Sequence, residues 1–498
     1  MIKKILIANR GEIAIRVMRA CQEMGIGTVA VYSDADANAM HTEFADEAVW
    51  IGESSASHSY LDHAKILNVA RQTGAEAIHP GYGFLSERAE FVEACDAAGV
   101  KFIGPSAAAM RKLGSKIDAK ALAVKEGVPI TPGYFEPGAT AKDLEAAAAK
   151  IGYPVMLKAS AGGGGRGMRI VREPSALAHE FELASEEAEK AFGDRAMMVE
   201  KLVEQPRHIE VQVLADTHGN VACLFERECS LQRRHQKVLE EACSPVVGES
   251  QWKRLREYCI KLVKASGYSG AGTVEFMYDE PSDSFYFLEV NARLQVEHPV
   301  TEAITGLDLV KWQIRIASGE KLELPAPLME GDRRSICGHA IEARIVAEDP
   351  AVGFMPSIGK LVAWAEPKRP GVRIDSGFGA GREISRFYDS LIAKAIAHAP
   401  TRVEAIDRLA AALEDFHILG VKTNIAYLLA ILRHPDFVAG KMDTGFLGRE
   451  FGEWKDSDEV PSELLAIAEA AAAPSGGSAV AAVEPSPWDA SDLFRNAR

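Results

Sequence analysis

From Leu288 to Glu297 the chain alternates strictly: Leu288, Val290, Ala292, Leu294 and Val296 are apolar, while Glu289, Asn291, Arg293, Gln295 and Glu297 are polar. Alternate side chains of an extended chain share a side, so the pattern predicts a strand carrying a row of polar groups for as long as the extension lasts. Taken alone, the segment reads as an edge strand with one wet face. Upstream, Ala271 to Tyr278 is also strand-like, and the turn-rich stretch Asp279 to Asp283 joins the two into a β-hairpin. Centring that hairpin on Ser282 sets Glu275 opposite Glu289 on the same face, where directly opposed Cβ atoms lie about 5 Å apart. Two ionised carboxylates at that spacing repel by roughly 3 kcal/mol at an effective dielectric near 20. A proton or a cation between them relieves this. A hard divalent cation suits the oxygen ligands, with Asn291 able to add a carbonyl, and Mg²⁺ held this way usually completes its shell with phosphate and water.

The chain should therefore also contain a phosphate cradle. Between the apolar runs Val155 to Leu157 and Met168 to Val171 lie Lys158 and the glycine run Gly162 to Gly165, followed by Arg166 and Gly167. No Gly-Lys-Ser/Thr opens a helix here, so this is neither a Walker A loop nor a dinucleotide fingerprint. It reads as a hairpin flap whose backbone N–H groups can approach an anion, with Lys158 as a point charge. The alternative reading is a flexible glycine linker.

At the start, the apolar strand Lys4 to Ala8, a helical Gly11 to Met24 and a second strand Thr28 to Tyr32 form a βαβ opening. Asn9 to Ala14 supplies one glycine where a nicotinamide-binding fingerprint wants three. Gly114, Ser115 and Lys116 open a helix whose N-terminus can face phosphate.

Length and charge narrow the class further. A chain of 498 residues suggests about three units. A formal net charge of −15 argues against a nucleic-acid or anionic-membrane surface. Seven cysteines without paired CxxC spacing fit reduced thiols in a reducing compartment, and Cys229 reads as a small packed residue rather than a nucleophile. No apolar run approaches the roughly 18 residues needed to span a bilayer, and the apolar segment near Met1 is too short for a signal peptide, so a cytoplasmic protein is expected. The thirteen histidines show no zinc-type spacing with cysteine, and His298, beside Pro299, reads as structural.

Three runs taken together, Lys158 to Gly167, Cys229 to Lys237 and Glu289 to Thr301, resemble biotin carboxylase, a member of the ATP-grasp superfamily. Ile5 to Ala14, His79 to Leu85, Gly353 to Ser357 and Tyr388 to Ser390 resemble it too, in family order, so the resemblance covers residues 1 to about 447. It implies an α/β fold of ATP-grasp architecture: an N-terminal Rossmann-like domain (1–113), a small glycine-loop lid (114–203), and an ATP-grasp core with a C-terminal α+β region (204–447). Residues 448–498 are expected to be an Ala/Gly/Ser/Pro-rich linker and the start of a following region.

The resemblance also implies ATP- and bicarbonate-dependent carboxylation of biotin through carboxyphosphate, with ATP, one or two Mg²⁺ (Mn²⁺ as a substitute) and carrier-bound biotin. In that reading Lys116, Lys158, Gly163, Gly164 and Gly165 hold phosphates. Glu200, Lys201 and Val203 read adenine mainly through backbone groups, His208, Gln232 and His235 contact the nucleotide, and Met277 packs on the base. Glu275, Glu289 and Asn291 hold the metal. Lys237, Arg293, Gln295 and Val296 receive bicarbonate, Glu297 takes its proton, Arg344 stabilises the ureido enolate and Tyr82 flanks the biotin ring. A carboxylate near its ordinary pKa is ionised at neutral pH and can act as a general base within hydrogen-bonding reach. Without the resemblance Arg344 and Tyr82 would read as a surface arginine and a packed tyrosine.

Ala292, where related enzymes often carry Thr or Pro, and Leu202-Val203 in the adenine hinge depart from the family wording without removing a charge. The wording and the tail are closer to acyl-CoA carboxylase α subunits. No Ala-Met-Lys-Met motif is present, so a carrier domain on another chain or another part of the polypeptide is expected, together with a carboxyltransferase partner. A homodimer is implied, with Arg19, Glu23 and Asp389 as interface candidates. The competing readings are another ATP-grasp ligase forming an acyl phosphate, and a non-catalytic nucleotide-binding module.

Overall fold

The computed structural model describes residues 2–136, 138–160, 167–234 and 236–455. Residues up to Trp454 form one compact unit. The expected glycines Gly163, Gly164 and Gly165, His235, and the tail beyond 455 lie outside the described residues.

The βαβ opening folds as read. Strand β1 (Lys4–Ile7), helix α1 (Gly11–Glu23) and β2 (Gly27–Ser33) are followed by β3 (Glu47–Gly52), β4 (Ala77–His79) and β5 (Lys101–Phe102). The five make a parallel sheet in the order β3-β2-β1-β4-β5. Its central strands are buried on both faces, as is usual for parallel sheets, with Ile5, Ile7, Val29 and Ile78 fully covered, while much of the edge strand β3 is exposed. Helix α2 (Lys116–Lys125) starts where expected, capped by the Ser115 side chain, which accepts from the Asp118 N–H.

A small antiparallel sheet follows: β6 (Gly133–Tyr134), β7 (Val155–Ala159), β8 (Met168–Val171) and β9 (Met197–Lys201), in the order β6-β9-β7-β8. It has its own apolar cluster, in which Leu144, Val155, Leu157, Val171, Leu177 and Val199 are fully buried. Strands β7 and β8 are the two flanks of the glycine run, paired antiparallel from Val155↔Val171 to Lys158↔Met168.

The largest sheet has eight strands. In chain order they are β10 (Arg207–Ala215), β11 (Val221–Arg233), β12 (Gln236–Ala242), β13 (Gly270–Asp279), β14 (Ser284–Asn291), β15 (His339–Val346), β16 (Val372–Ser376) and β17 (Leu391–Ala399). They run β14-β13-β10-β11-β12-β15-β17-β16, antiparallel throughout. Ile209, Val211, Val274 and Phe276 join an apolar cluster with Trp252, Leu255, Cys259 and Leu262 of α3 (Glu249–Ser266), a helix whose apolar residues recur every three or four positions. The opposite face carries charge. Glu289, Glu275, Glu210 and Arg227 are successive cross-strand partners over β14, β13, β10 and β11. Of these four charges on one rung, backed by a greasy layer, Glu275 and Glu289 line a cleft, while Glu210 and Arg227 are fully buried.

The alternating run is strand only as far as Asn291. Residues 292–297 leave the sheet, and Glu297 caps the next helix, α4 (His298–Thr305), with a backbone (φ −81°, ψ 10°) that is no longer extended. The polar row predicted from Glu289 to Glu297 is thus two strand residues and then a turn. A helix beginning at His298, with Pro299 in its first turn, ends the extension.

Candidate active site

A cleft of about 1130 Å³ lies over this charged face, lined among others by Tyr82, Lys116, Lys158, Lys237, Glu275, Glu289, Arg293, Val296 and Arg344. Each element places one part of it. The hairpin β13–β14 pairs Glu275 with Glu289 in register, and a register irregularity follows between Glu275 and Phe276. Burial, and then Glu275, raise the Glu289 carboxyl above its ordinary value. Among the described residues its carboxylate accepts no hydrogen bond. Glu275 is the reverse: burial would raise it, but Lys237 and His208 hold it low. Its Oε1 accepts from Lys237 Nζ (3.1 Å), Asn291 Nδ2 (2.8 Å) and Gln295 Nε2 (3.2 Å), and its Oε2 lies 3.0 Å from His208 Nε2. Two acids opposed in register, one of them without a hydrogen-bond partner among the described residues, fit a divalent cation held between them.

Lys237, on β12, is the hub of the next layer. Its ammonium is 2.5 Å from Glu210 Oε2, 3.1 Å from Glu275 Oε1 and 2.6 Å from Glu297 Oε1. Burial opposes its charge, but the three carboxylates lift its pKa well above the ordinary lysine value. The acidic groupings His208–Glu210–Glu275 and Glu210–Cys229–Glu297 have ligand-like spacing. Lys237 reaches two carboxylates of the second grouping, Glu210 and Glu297, and two of the first, Glu210 and Glu275; Glu289, in register with Glu275, is an acid of the cleft that Lys237 does not reach. Cys229, fully buried, has its thiol pushed well up by burial and Glu210, in keeping with a packed residue.

Glu297 is fully buried between two cations, with Oε1 toward Lys237 and Oε2 2.9 Å from Arg344 Nη2. Burial would raise its carboxyl, and Glu210 adds to that, but Lys237 and Arg344 keep it below the ordinary value. It is ionised and oriented. Arg344, on β15, also donates through Nε to Glu240 Oε1 at 2.5 Å. Glu240 and Glu342 are cross-strand partners, both buried; Glu240 Oε2 and both Glu342 oxygens lack hydrogen-bond partners among the described residues. Burial, against the pull of Arg344, raises Glu240 to about 7.

Arg293 is held from four sides: Nε donates to Glu87 Oε2 (2.9 Å), Nη1 to the Leu294 carbonyl (3.2 Å) and Gln295 Oε1 (3.0 Å), and Nη2 to Asn291 Oδ1 (3.0 Å). Tyr82 sits on a loop fixed by Asn9, whose Nδ2 donates to the carbonyls of Pro80 and Tyr82 at 2.7 Å each. Gly81 there has φ +62°, and a Cβ would fall 2.9 Å from Asn9 Nδ2, so a glycine is required.

On the lid side, Lys158 Nζ donates to Glu200 Oε2 at 2.6 Å, and Lys120 pairs with the same carboxylate. Glu200 is buried, and its side chain holds lysines. The Lys201 and Leu202 N–H groups are engaged by the Pro132 and Pro154 carbonyls, and Lys201 Nζ donates to the Gly152 and Tyr153 carbonyls. Lys201, Leu202, Val203, His208, Gln232 and Met277 all line the cleft, with Gln232 Nε2 3.5 Å from His208 Nδ1.

Glu210, Glu87, Glu240 and Lys120 take part here without having been singled out from the sequence. Glu210 was within reach: His208, Glu210 and Gln212 alternate with Ile209, Val211 and Val213, the same period-two signal that flagged Glu289. Glu87 and Glu240 gave no local signal.

Opposed acids on one antiparallel sheet, beneath a lysine-bearing strand pair of a second, smaller sheet, define a ligase of the ATP-grasp class. Comparison with known proteins agrees with this class. Residues 1–110 match the family description "Biotin carboxylase, N-terminal domain", residues 115–324 "Carbamoyl-phosphate synthase L chain, ATP binding domain" and residues 342–449 "Biotin carboxylase C-terminal domain". Biotin carboxylase 1 of Bacillus subtilis is 48% identical over 447 residues, 90% of this chain and 98% of that protein. The α subunit of mouse mitochondrial methylcrotonoyl-CoA carboxylase is 49% identical over 90% of this chain, which spans only 62% of that relative's length. Among solved structures, the biotin carboxylase domain dimer of Hydrogenobacter thermophilus 2-oxoglutarate carboxylase, in complex with MgADP, ADP and bicarbonate, is 46% identical with a TM-score of 0.87 over 92% of this chain and 100% of that one. Biotin carboxylase from Campylobacter jejuni follows at 44% identity and a TM-score of 0.86, covering 90% of this chain and 99% of that one. The chain belongs to the biotin carboxylase family. No helix among the described residues is long and apolar enough to cross a membrane.

Proposed function

We propose that the chain carboxylates biotin at N1′ using ATP and bicarbonate, the first half-reaction of an acyl-CoA carboxylase. The observation that carries this reading is Glu297 held between Lys237 and Arg344, in the same cleft as the opposed pair Glu275 and Glu289. An ATP-grasp ligase of another kind needs the acidic pair but not this cation-flanked base.

Bicarbonate is a poor electrophile, so it is first phosphorylated: its oxygen attacks the γ-phosphorus of ATP, forming carboxyphosphate and releasing ADP. Phosphoryl transfer needs alignment and charge neutralisation more than covalent help. Glu275 and Glu289, with Asn291, would hold Mg²⁺, which neutralises phosphate charge when bound. Lys116 and Lys158 add positive charge on the lid side, with Gly163, Gly164 and Gly165 as the backbone cradle. Lys201, Val203 and Met277 would receive the adenine, with Glu200 setting the lysines, and His208, Gln232 and His235 would contact the nucleotide.

Arg293, held rigid by Glu87 and Asn291, would present its charge and its remaining Nη2 N–H to bicarbonate alongside Lys237, Gln295 and the Val296 backbone. Glu297 takes the bicarbonate proton as the nucleophile forms. Carboxyphosphate then breaks to CO₂ and phosphate, phosphate takes the N1′ proton of biotin, and N1′ attacks CO₂. Arg344 stabilises the developing ureido oxyanion and Tyr82 flanks the ring. The partners in this reading are a biotin carboxyl carrier domain and a carboxyltransferase, with the chain itself dimeric. The division at 113, 203 and 447 belongs to the same proposal.

The test is ADP release from ATP measured with bicarbonate and free biotin each withheld in turn. Bicarbonate-dependent ADP release, with carbon from labelled bicarbonate appearing on biotin when both are present, supports the reading. ADP release indifferent to bicarbonate, or no transfer of labelled carbon to biotin, overturns it.

A further inference from the structure

Lys394 is a lysine in the middle of the apolar strand Leu391–Ala399, and it is fully buried. An ammonium is costly to remove from water, and packing alone at this position needs only an aliphatic side chain. Its register partners are Arg344 on one side and Asp375 on the other. Lys394 Nζ donates to the Val296 carbonyl at 2.9 Å, one residue before Glu297, and lies 3.3 Å from Glu12 Oε2 and 3.8 Å from Asp375 Oδ2. The other oxygen of Glu12 accepts the Tyr82 hydroxyl. Glu12 is itself clamped: a Cβ at Gly377 would fall 2.6 Å from Gly11 Cα and from the Glu12 amide nitrogen, so the chain after Asp375 lies directly on the start of α1. A continuous path therefore runs Tyr82–Glu12–Lys394–Val296, from one wall of the cleft to the other.

We infer that Lys394 and Glu12 are a positioning pair for the reaction proposed above, tying the turn Gln295–Glu297 that would receive bicarbonate to the Tyr82 loop that would receive biotin. Neither side chain lies at the reacting atoms: Lys394 acts through the Val296 carbonyl and Glu12 through Tyr82. Losing the Lys394 bond frees the Val296 peptide, and with it the donors and the base on either side, while leaving the metal-facing acids on β13 and β14 in place.

The experiment compares the wild-type chain with Lys394→Met, Lys394→Arg and Glu12→Gln, using free biotin as acceptor. It records KM for bicarbonate and for biotin, kcat, MgADP affinity by calorimetry, and thermal unfolding. Lys394→Met should raise KM for bicarbonate about ten-fold or more, with MgADP affinity within about three-fold of wild type. Lys394→Arg, which keeps the charge, should recover part of that loss. Glu12→Gln, still able to accept from Tyr82, should raise the bicarbonate and biotin KM values together. An unchanged bicarbonate KM in Lys394→Met, or a rise matched by an equal loss of MgADP affinity, overturns the inference. If Lys394→Met does not fold, wild-type bicarbonate KM values in both Lys394→Arg and Glu12→Gln overturn it. A wild-type chain lacking bicarbonate-dependent turnover removes the reading beneath it as well, whereas an active wild type with indifferent variants sinks this inference alone.

Discussion

Lys237 and Glu297 are joined at 2.6 Å, and the same ammonium reaches Glu275 at 3.1 Å, so the proposed base and a metal-facing acid share one cation. The two ends of the reaction are electrostatically linked through a single side chain.

Glu297→Gln keeps the shape of that link and removes the base. Bicarbonate-dependent ADP release should fall by about 10²-fold or more, the usual scale for a general base. MgADP affinity should stay within a few-fold. Equal loss of both, in paired kinetic and calorimetric measurements, would contradict the assignment.

Glu275→Gln together with Glu289→Gln removes the opposed acids and should abolish Mg²⁺-dependent nucleotide binding. The check is nucleotide affinity titrated against Mg²⁺. A metal dependence like that of the wild type would show that the hairpin does not hold the ion.

Lys237→Met leaves Glu210, Glu275 and Glu297 buried without their common partner, and should destabilise the fold by about 3–5 kcal/mol at neutral pH. The penalty should shrink in acid. Burial would raise Glu210, but Lys237 and Arg227 hold it at about 2 against an ordinary 4.5. A depressed carboxyl contributes stability that is full above about pH 4.5 and is lost as pH falls toward 2. Denaturant unfolding at pH 7 and pH 4 tests this, and an equal penalty at both would refute it.

Glu240→Gln has the opposite sign. With its carboxyl raised to about 7 from an ordinary 4.5, the folded wild type keeps a proton that the unfolded chain has released, so this residue costs stability as pH climbs from about 4.5 through 7. A glutamine does not titrate. Relative to wild type, the variant should therefore gain stability across that window and level off above it. Unfolding curves at pH 5 and pH 8 measure the difference.

What the sequence revealed depended on how far local pattern reaches. Glu275 and Glu289 were legible because a hairpin fixes its own register within a few residues, and Lys158 because its glycine run sits between two short strands that pair as expected. Glu297 was not legible from alternation, since the strand stops at Asn291 and a helix start places the base. Arg344 came from family wording alone: it meets Glu297, 47 residues earlier, from a strand that pairs with β12, about a hundred residues earlier, and no local pattern encodes either contact. Lys394 did carry a signal, a single lysine inside an apolar strand, but its partner at Val296 is likewise distant in sequence.

The rung Glu289–Glu275–Glu210–Arg227 has one further consequence. In a sheet, slipping a strand by one residue turns every side chain to the other face. A slip of β14 by one residue would lift Val290 out of the apolar layer and press Glu289 into it, so the burial of Val274, Phe276 and Val290 on the far face is what keeps the two acids opposed.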